Sequence, residues 1–258
     1  MEIKLNNVSC GYKNKTVLSG INLTFNTGNI YCILGANGIG KTTLFKSMLG
    51  FIDLVQGDIT IADLNIQNMT NREIAMHISY VPQAKIYSMQ YSVFDIILMG
   101  RALYVKKLDT PSQKDIDKVN EVIKQLKIEH LKDMLYSELS GGEQQVVLVA
   151  RALVQGSKFI IMDEPASNLD FENQKKVLDV LKELTMTDMG VIMSSHSPDH
   201  ALYCDSRVVM IRKDKTFVEG SVEETINQNN LLGVYGVKLG VLKETSSDGK
   251  LYRSCCLI

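Results

Sequence analysis

The segment from residue 35 to residue 42 constrains the fold of this chain more than any other part of the sequence. It reads G-A-N-G-I-G-K-T and fits the pattern G-x-x-x-x-G-K-[ST]. The apolar residues 30–34 before it predict a buried strand, and residues 43–49 after it have helical spacing. In such a strand–loop–helix unit the backbone N–H groups of the loop point at the phosphates of a nucleotide. The sequence therefore predicts a phosphate-binding loop.

The residues of this loop have distinct expected roles. We expect Lys41 to reach the β- and γ-phosphates of ATP and the hydroxyl of Thr42 to bind Mg²⁺. The residues predicted to contact the nucleotide here are Gly35, Asn37, Gly38, Gly40, Lys41, Thr42 and Thr43.

A second apolar run, residues 159–162, ends in two consecutive carboxylates, Asp163 and Glu164. Two acids at a strand end would ordinarily form a solvated turn. The phosphate loop upstream favours another interpretation, in which Asp163 supports magnesium and Glu164 is the general base that polarises the attacking water.

Residues 139–145, with the sequence L-S-G-G-E-Q-Q, form a second glycine-rich segment. They precede a helix that the pattern predicts over about 143–155. The hydroxyl of Ser140 and the backbone N–H groups of Gly141 and Gly142 would lie at the N-terminus of that helix, which favours anions. A lone S-G-G would be an ordinary helix cap, but the full seven-residue string favours a second anion site.

The remaining pattern alternates strands and helices. Apolar runs predict strands at 2–8, 17–25, 29–34, 57–61, 78–81, 159–162, 191–193 and 208–211, with Gly11, Gly20 and Gly28 as breaks. Helices are expected at 171–184 and near 198–203. Such alternation with continuous apolar strands predicts an α/β fold whose mainly parallel sheet is covered on both faces. Between about 93 and 136 charges become dense and apolar residues recur at helical spacing, which predicts an inserted helical subdomain.

Composition excludes several classes of protein. The chain has 258 residues and a formal net charge of -1, so charge gives no case for nucleic acid or an anionic membrane surface as a partner. Its apolar runs are shorter than the eighteen or so residues that a membrane helix needs. The five cysteines lack metal-ligand spacing, which suits a reducing cytosol.

Taken together, these motifs resemble the nucleotide-binding subunits of ABC transporters, and the resemblance covers essentially the whole chain. It implies an ABC-type P-loop domain over residues 1–220, with an antiparallel N-terminal β region and a helical subdomain inserted at about 85–157. Residues 221–258 would be a short C-terminal tail. The implied activity is magnesium-dependent ATP hydrolysis by two copies of the chain, arranged head to tail with ATP between them.

The resemblance also implies roles that spacing alone does not supply. Residues 139–145 match the signature that contacts the γ-phosphate of ATP held by the opposite subunit. Gln83 resembles the loop glutamine that senses magnesium, and Asp170 the acid of the loop that links the two sites. His196 resembles the switch histidine at the γ-phosphate. Tyr12 resembles the aromatic side chain that stacks on adenine.

Three further strings, at 93–101, 195–201 and 231–237, resemble the importers of iron-siderophores, haem, cobalamin and related metal chelates. This implies separate polytopic permease subunits, an extracytoplasmic substrate-binding protein as an indirect partner, and a location at the cytoplasmic face of the membrane. A groove near Gln83 and residues 85–101, with Tyr87, Met89, Tyr91 and Phe94, is expected to receive a permease helix. The alternatives are a soluble ABC ATPase that moves no solute, as in iron–sulfur-cluster assembly or DNA repair, and the ATPase of an exporter.

Overall fold

The computed structural model describes residues 1–12, 15–83, 90–105, 109–245, 249 and 251–258, with the backbone alone at Leu251. Its strands are β1 (Glu2–Tyr12), β2 (Lys15–Asn26), β3 (Ile30–Gly35), β4 (Leu54–Ile61), β5 (Leu64–Asn65), β6 (Ile78–Val81), β7 (Phe159–Met162), β8 (Gly190–Ser195), β9 (Arg207–Ile211), β10 (Phe217–Gly220), β11 (Leu239–Thr245) and β12 (Leu251–Leu257). Its α-helices are α1 (Lys41–Met48), α2 (Asn71–His77), α3 (Val93–Leu98), α4 (Gln113–Gln125), α5 (Gly141–Leu153), α6 (Phe171–Thr185), α7 (Pro198–Cys204), α8 (Val222–Thr225) and α9 (Gln228–Tyr235).

The central sheet has the strand order β10-β9-β3-β8-β7-β6. The pairs from β9 to β6 are parallel, and β10 joins β9 in antiparallel orientation. Strands β3, β7 and β8 are buried along their whole length, as the continuous apolar runs predicted. The carboxyl ends of these three neighbouring strands therefore meet at one edge, where the phosphate loop, the Asp163–Glu164 pair and the His196 segment follow.

A second, antiparallel sheet covers one face of the central sheet. Its strand order is β2-β1-β4-β5, and α1 lies between the two sheets. Leu44, Phe45 and Met48 of α1 are fully buried in the cluster that joins both sheets. Each such side chain contributes about 1.5–3 kcal/mol relative to exposure. The helix that follows the phosphate loop is therefore anchored on both sides, which fixes the loop at its N-terminus.

The opposite face of the central sheet carries the larger apolar cluster. Alternate residues of the strands, such as Cys32 and Leu34, pack there against α5 and α6 and the helices around them. Helices α3, α4 and α5 lie in the chain between β6 and β7, which are sheet neighbours. The predicted insertion thus begins and ends at adjacent strands, and residues 84–89 at its start lie outside the described residues.

The predicted fold class is confirmed, with differences at element boundaries. Gly11 and Gly20, expected to interrupt strands, lie within β1 and β2. A Cβ atom on Gly11 would meet the carbonyl oxygen of Lys15 at 2.1 Å, so this glycine allows close pairing rather than a break. The helix predicted over 143–155 is α5, over Gly141–Leu153, because Ser140 and Glu143 form a capping box that starts it earlier.

The segment after β10, predicted only as a short tail, contains α8, α9 and a hairpin of β11 and β12. Leu239, Val241 and Cys255 of this hairpin pack against the larger apolar cluster. None of the helices in the described part of the chain is long and apolar enough to cross a membrane.

Candidate functional site

The phosphate loop adopts a backbone conformation that depends on glycine. Gly38 and Gly40 have φ angles of 76° and 125°. A Cβ atom on Gly40 would also lie 2.8 Å from a methyl carbon of Val17 and 2.9 Å from Cγ of Leu18. The loop can therefore turn tightly against β2 only with glycine at this position. It opens into a cleft of about 330 Å³ lined by Asn37, Gly38, Gly40, Lys41, Thr42, Thr43, Gln83 and Glu164.

Lys41, the first residue of α1, is buried, with 5% of its surface exposed. Its Nζ donates hydrogen bonds to the carbonyl oxygens of Gly35 at 2.8 Å and Ala36 at 3.3 Å. It also lies 3.4 Å from Oε1 of Glu164. A buried ammonium group at the floor of a polar cleft supplies positive charge where an oligophosphate would bind.

Thr42 and Asp163 come together from the phosphate loop and the end of β7. Oγ1 of Thr42 donates to Oδ2 of Asp163 at 2.5 Å. A hydroxyl and a carboxylate are the hard oxygen ligands that Mg²⁺ prefers, and magnesium bound with a nucleotide takes further ligands from phosphates and water. Among the described residues no cluster of three or more His, Cys, Asp or Glu side chains could hold a metal alone. The donor set fits magnesium that arrives with a nucleotide.

Glu164 lies at the centre of the polar contacts in the cleft. Its Oε2 lies 3.3 Å from Nδ1 of His196 and accepts a hydrogen bond from Nε2 of Gln83 at 3.5 Å, while Oε1 faces Lys41. Its φ angle is 50°, a conformation that costs a non-glycine residue about 1–3 kcal/mol. The backbone N–H of Ser167 and the hydroxyl of Ser167 both donate to the carbonyl oxygen of Glu164, which holds this turn.

The structure thus brings together six of the residues nominated from the sequence, whose roles stay predictions: Lys41, Thr42, Asp163, Glu164, Gln83 and His196. One further residue, Ser194, belongs with them and was missed. Its hydroxyl donates to Oδ1 of Asp163 at 2.6 Å and accepts the backbone N–H of Glu164 at 2.9 Å. Met162 pairs with Met193 in parallel register, so the next residues of β7 and β8 are adjacent. The signal in the sequence is a serine at the end of an apolar run, but only the register of β8 beside β7 shows that this serine faces the two acids.

The signature segment lies elsewhere on the surface. Gly141 and Gly142 form the first turn of α5, and Ser140 caps it with its hydroxyl bonded to Glu143 at 2.7 Å. The hydroxyl and the backbone N–H of Ser140 both donate to the carboxylate of Glu143, and these two hydrogen bonds lower the pKa of Glu143. In the part of the chain that the structure describes, the residues that line the cleft of the phosphate loop do not include Ser140, Gly141, Gly142 or Glu143.

Asp170 caps α6 and accepts the backbone N–H of Asn173 at 2.8 Å. The side chain of Asn173 packs directly against Gly142, where a Cβ atom would meet it at 2.2 Å. The signature and the loop of Asp170 therefore form one surface of the same chain, apart from the phosphate cleft.

Tyr12 lies at the end of β1, paired with Lys15, and is 47% exposed. The same hairpin presents Val17 and Leu18 to Gly40. Tyr12 therefore lies in a strand pair whose second strand contacts the loop, and it is open to solvent; its stacking on adenine stays a prediction.

Comparison with known proteins gives concordant matches. The family model described as ABC transporter matches residues 18–167. A Haemophilus influenzae protein named "Uncharacterized ABC transporter ATP-binding protein" is 37% identical over 235 residues, 91% of this chain and 89% of that protein. A Helicobacter pylori protein named "Probable iron chelatin transport ATP-binding protein" is 33% identical over 241 residues, 93% of this chain and 94% of that protein.

A solved structure agrees with these sequence matches. It is the inward-facing conformation of an ABC transporter assigned to the metal-chelate type. The matched chain is 27% identical with a TM-score of 0.88, and the match covers 99% of this chain and 97% of that one.

Proposed function

Because the chain belongs to the family of ABC transporter ATP-binding subunits, we propose that it hydrolyses ATP with Mg²⁺ and so energises an importer of an iron chelate or a related metal chelate. The observation that carries this proposal is the convergence in one cleft of a buried ammonium, a hydroxyl–carboxylate pair and a second carboxylate. These are the groups of Lys41, Thr42 with Asp163, and Glu164.

ATP is the substrate of the proposed reaction. The backbone N–H groups of the loop and Nζ of Lys41 bind its phosphates. A water molecule attacks the γ-phosphorus, its proton passes to the carboxylate of Glu164, and the bond to ADP breaks to release phosphate. A positioned base of this kind contributes about 10²–10⁴ in rate. His196 and Gln83, both in contact with Oε2 of Glu164, would orient the water.

Magnesium would be held by the hydroxyl of Thr42 and the carboxylate of Asp163, with Gln83 beside them. Bound there, it neutralises the charge of the phosphate oxygens and orients them. Ser194 fixes the carboxylate of Asp163 and the backbone N–H of Glu164 with one hydroxyl, so it couples the metal-binding and base positions.

ABC ATPase domains act as dimers with membrane permeases. For this chain we propose that the signature of one copy completes the nucleotide site of a second copy, in a head-to-tail pair. The separation of Ser140 and Gly142 from the phosphate cleft supports this arrangement. In the pair, ATP bridges the copies through its γ-phosphate, and hydrolysis removes the bridge. The contacts between the two copies therefore differ before and after hydrolysis, and this difference can drive a conformational change of a permease.

Two comparisons support metal-chelate import. The Helicobacter pylori relative is named for iron chelatin transport, and the solved structure is of a transporter assigned to the metal-chelate type. The proposed partners are separate polytopic permease subunits and, indirectly, an extracytoplasmic binding protein. They would hold this chain at the cytoplasmic face of the membrane. Tyr91 and Phe94 of the proposed docking segment are described, whereas Tyr87 and Met89 lie outside the described residues.

The test is purification of the tagged chain from detergent-extracted membranes, together with iron-chelate uptake by the same cells. We expect a polytopic membrane protein to copurify, and uptake to be lost on Glu164→Gln although the complex still forms. Copurification with soluble assembly factors alone would favour the non-transport ATPase. Efflux of a solute that depends on Glu164 would favour the exporter, and either result would overturn the import proposal.

A further inference from the structure

The C-terminal hairpin of β11 and β12 is bound to the short helix α7, which directly follows the His196 loop. Strand β12 packs along α7. The backbone N–H of Cys255 donates to Oδ1 of Asp199, in the first turn of α7, at 2.8 Å. At the other end of α7, Nη2 of Arg253 lies 3.3 Å from Oδ1 of Asp205, the C-cap residue, and Nη1 contacts Glu223. The hairpin therefore holds both ends of α7.

The loop that carries His196 is itself bound to the first turn of α7. The hydroxyl oxygen of Ser195 accepts the backbone N–H of Ser197 at 2.9 Å, and lies 2.9 Å from Nδ1 of His200. Ser195 and His200 are both buried, with 2% and 9% of their surface exposed. His196 is exposed and reaches Glu164 from this closed turn. A shift of the first turn of α7 must therefore move the His196 backbone as well.

Asp199 connects these two sets of contacts. It is adjacent to His200 in the sequence, and its carboxylate accepts an N–H that β12 directs out of the two-stranded sheet. Hydrogen bonds to a carboxylate are among the stronger ones in proteins. The inner face of the hairpin, with Val241 and Cys255, is packed against the main apolar cluster, so the donor is fixed in place.

We propose that Asp199 is a positioning residue through which the C-terminal hairpin fixes the His196 loop relative to Glu164. Its importance for turnover rests on the proposed function, because His196 matters for rate only if the cleft hydrolyses ATP. The mechanical link itself does not depend on that function.

Two matched pairs of variants test the link. Asp199→Ala removes the acceptor, whereas Asp199→Asn keeps an oxygen acceptor and removes only the charge. Cys255→Pro removes the backbone N–H that donates to Asp199, and edge strands accept proline where the N–H faces away from the paired strand. Cys255→Ala keeps this N–H and is the matched control. We expect Asp199→Ala and Cys255→Pro to lower kcat for ATP about three- to tenfold, the effect of one hydrogen bond. Their controls should stay near the wild-type rate.

A double-mutant cycle separates positioning from general destabilisation. In a His196→Ala background, Asp199→Ala should lower kcat no further, because the residue acts through His196. The proposal is overturned if Asp199→Ala reduces kcat by the same factor in both backgrounds. It is equally overturned if Asp199→Asn is as slow as Asp199→Ala.

Hydrogen exchange of the nucleotide-free protein gives a readout independent of activity. Asp199→Ala and Cys255→Pro should each increase exchange across residues 195–204, and the two controls should not. Unchanged exchange in both would overturn the link. If the wild-type chain shows no ATP hydrolysis, the proposed function fails, and the exchange result alone decides this inference.

Discussion

Ser194 donates its hydroxyl hydrogen to Oδ1 of Asp163 at 2.6 Å, while Thr42 occupies Oδ2 of the same carboxylate at 2.5 Å. Both oxygens of Asp163 are thus held, one from β8 and one from α1, and Asp163 is only 4% exposed. Because the Ser194 oxygen also accepts the N–H of Glu164, one serine contacts both acidic residues and helps to orient them.

We therefore expect Ser194→Ala to lower kcat about tenfold and to raise the magnesium concentration needed for half-maximal turnover. A hydrogen bond to a charged group is worth about 1.5–3 kcal/mol, and its loss leaves Asp163 and the N–H of Glu164 without this partner. Steady-state ATP turnover over a magnesium titration measures both effects.

Ser79→Ala is a matched control. The hydroxyl of Ser79 is also buried, in strand β6 on the other side of β7 from β8, and donates to the carbonyl oxygen of Phe159 at 3.3 Å, away from both acids. This variant should lose stability but keep the wild-type magnesium dependence. Equal magnesium dependence of Ser194→Ala and wild type would contradict the role of Ser194.

The motif residues were predictable because each follows a buried strand or starts a helix, and parallel strands bring such positions to one edge. Lys41, Asp163 and Glu164 were nominated from local patterns alone, a glycine-rich loop between a strand and a helix and two acids after an apolar strand. Ser194 was missed because its role depends on register between β7 and β8, which a single sequence does not specify. The C-terminal hairpin was missed for a related reason. Among its described side chains, Leu239, Val241 and Cys255 are those that pack against the larger apolar cluster, and apolar alternation this short does not distinguish a strand from a loop.

A second prediction compares two adjacent glycines of α5. A Cβ atom on Gly142 would lie 2.2 Å from Oδ1 of Asn173, which is held by its bonds to Asp170. A Cβ atom on Gly141 would lie 3.4 Å from Leu169, a distance that small shifts relieve. Both changes to alanine gain the same helix propensity. We expect Gly142→Ala to be less stable than Gly141→Ala by about 1–3 kcal/mol in urea unfolding. Equal free energies of unfolding would show that this contact is not tight.

A third prediction concerns pH. Burial is the main cause that lowers the pKa of His200 below 6.5, and the nearby charge of His196 lowers it further, while Asp199 and Glu164 act in the opposite direction. The folded protein thus binds this proton more weakly than the unfolded chain. The contribution of neutral His200 to the free energy of unfolding is therefore fully present above about pH 6.5, and it is lost as the pH falls through the lowered pKa of the folded protein.

Urea unfolding at about pH 7.5 and about pH 5.5 checks this sign. The wild-type chain should lose more free energy of unfolding between these conditions than His200→Gln, which cannot gain the proton. An identical loss in both proteins would show that His200 does not titrate differently on unfolding.

A fourth prediction concerns the arrangement of the two nucleotide sites. Consider a mixed dimer in a Glu164→Gln background, with Lys41→Ala in one copy and Gly142→Asp in the other. If each site uses the phosphate loop of one copy and the signature of the other, one site inherits both defects and the second is intact. The dimer should then occlude about one ATP, as counted by retained radiolabelled nucleotide. Essentially no occluded ATP would indicate that each site forms within one copy.

The separation of binding from chemistry between Lys41 and Glu164 tests the proposed ATPase most directly. ATP affinity and phosphate release are measured for Lys41→Ala, Glu164→Gln and the wild-type chain, with and without Mg²⁺. Lys41→Ala should weaken ATP binding, because it removes the buried charge at the phosphates. Glu164→Gln should bind ATP as tightly as wild type, yet release phosphate about 10²–10⁴ times more slowly, because an amide cannot accept the proton. An equal loss of ATP affinity in both variants, or undiminished phosphate release from Glu164→Gln, would contradict these roles.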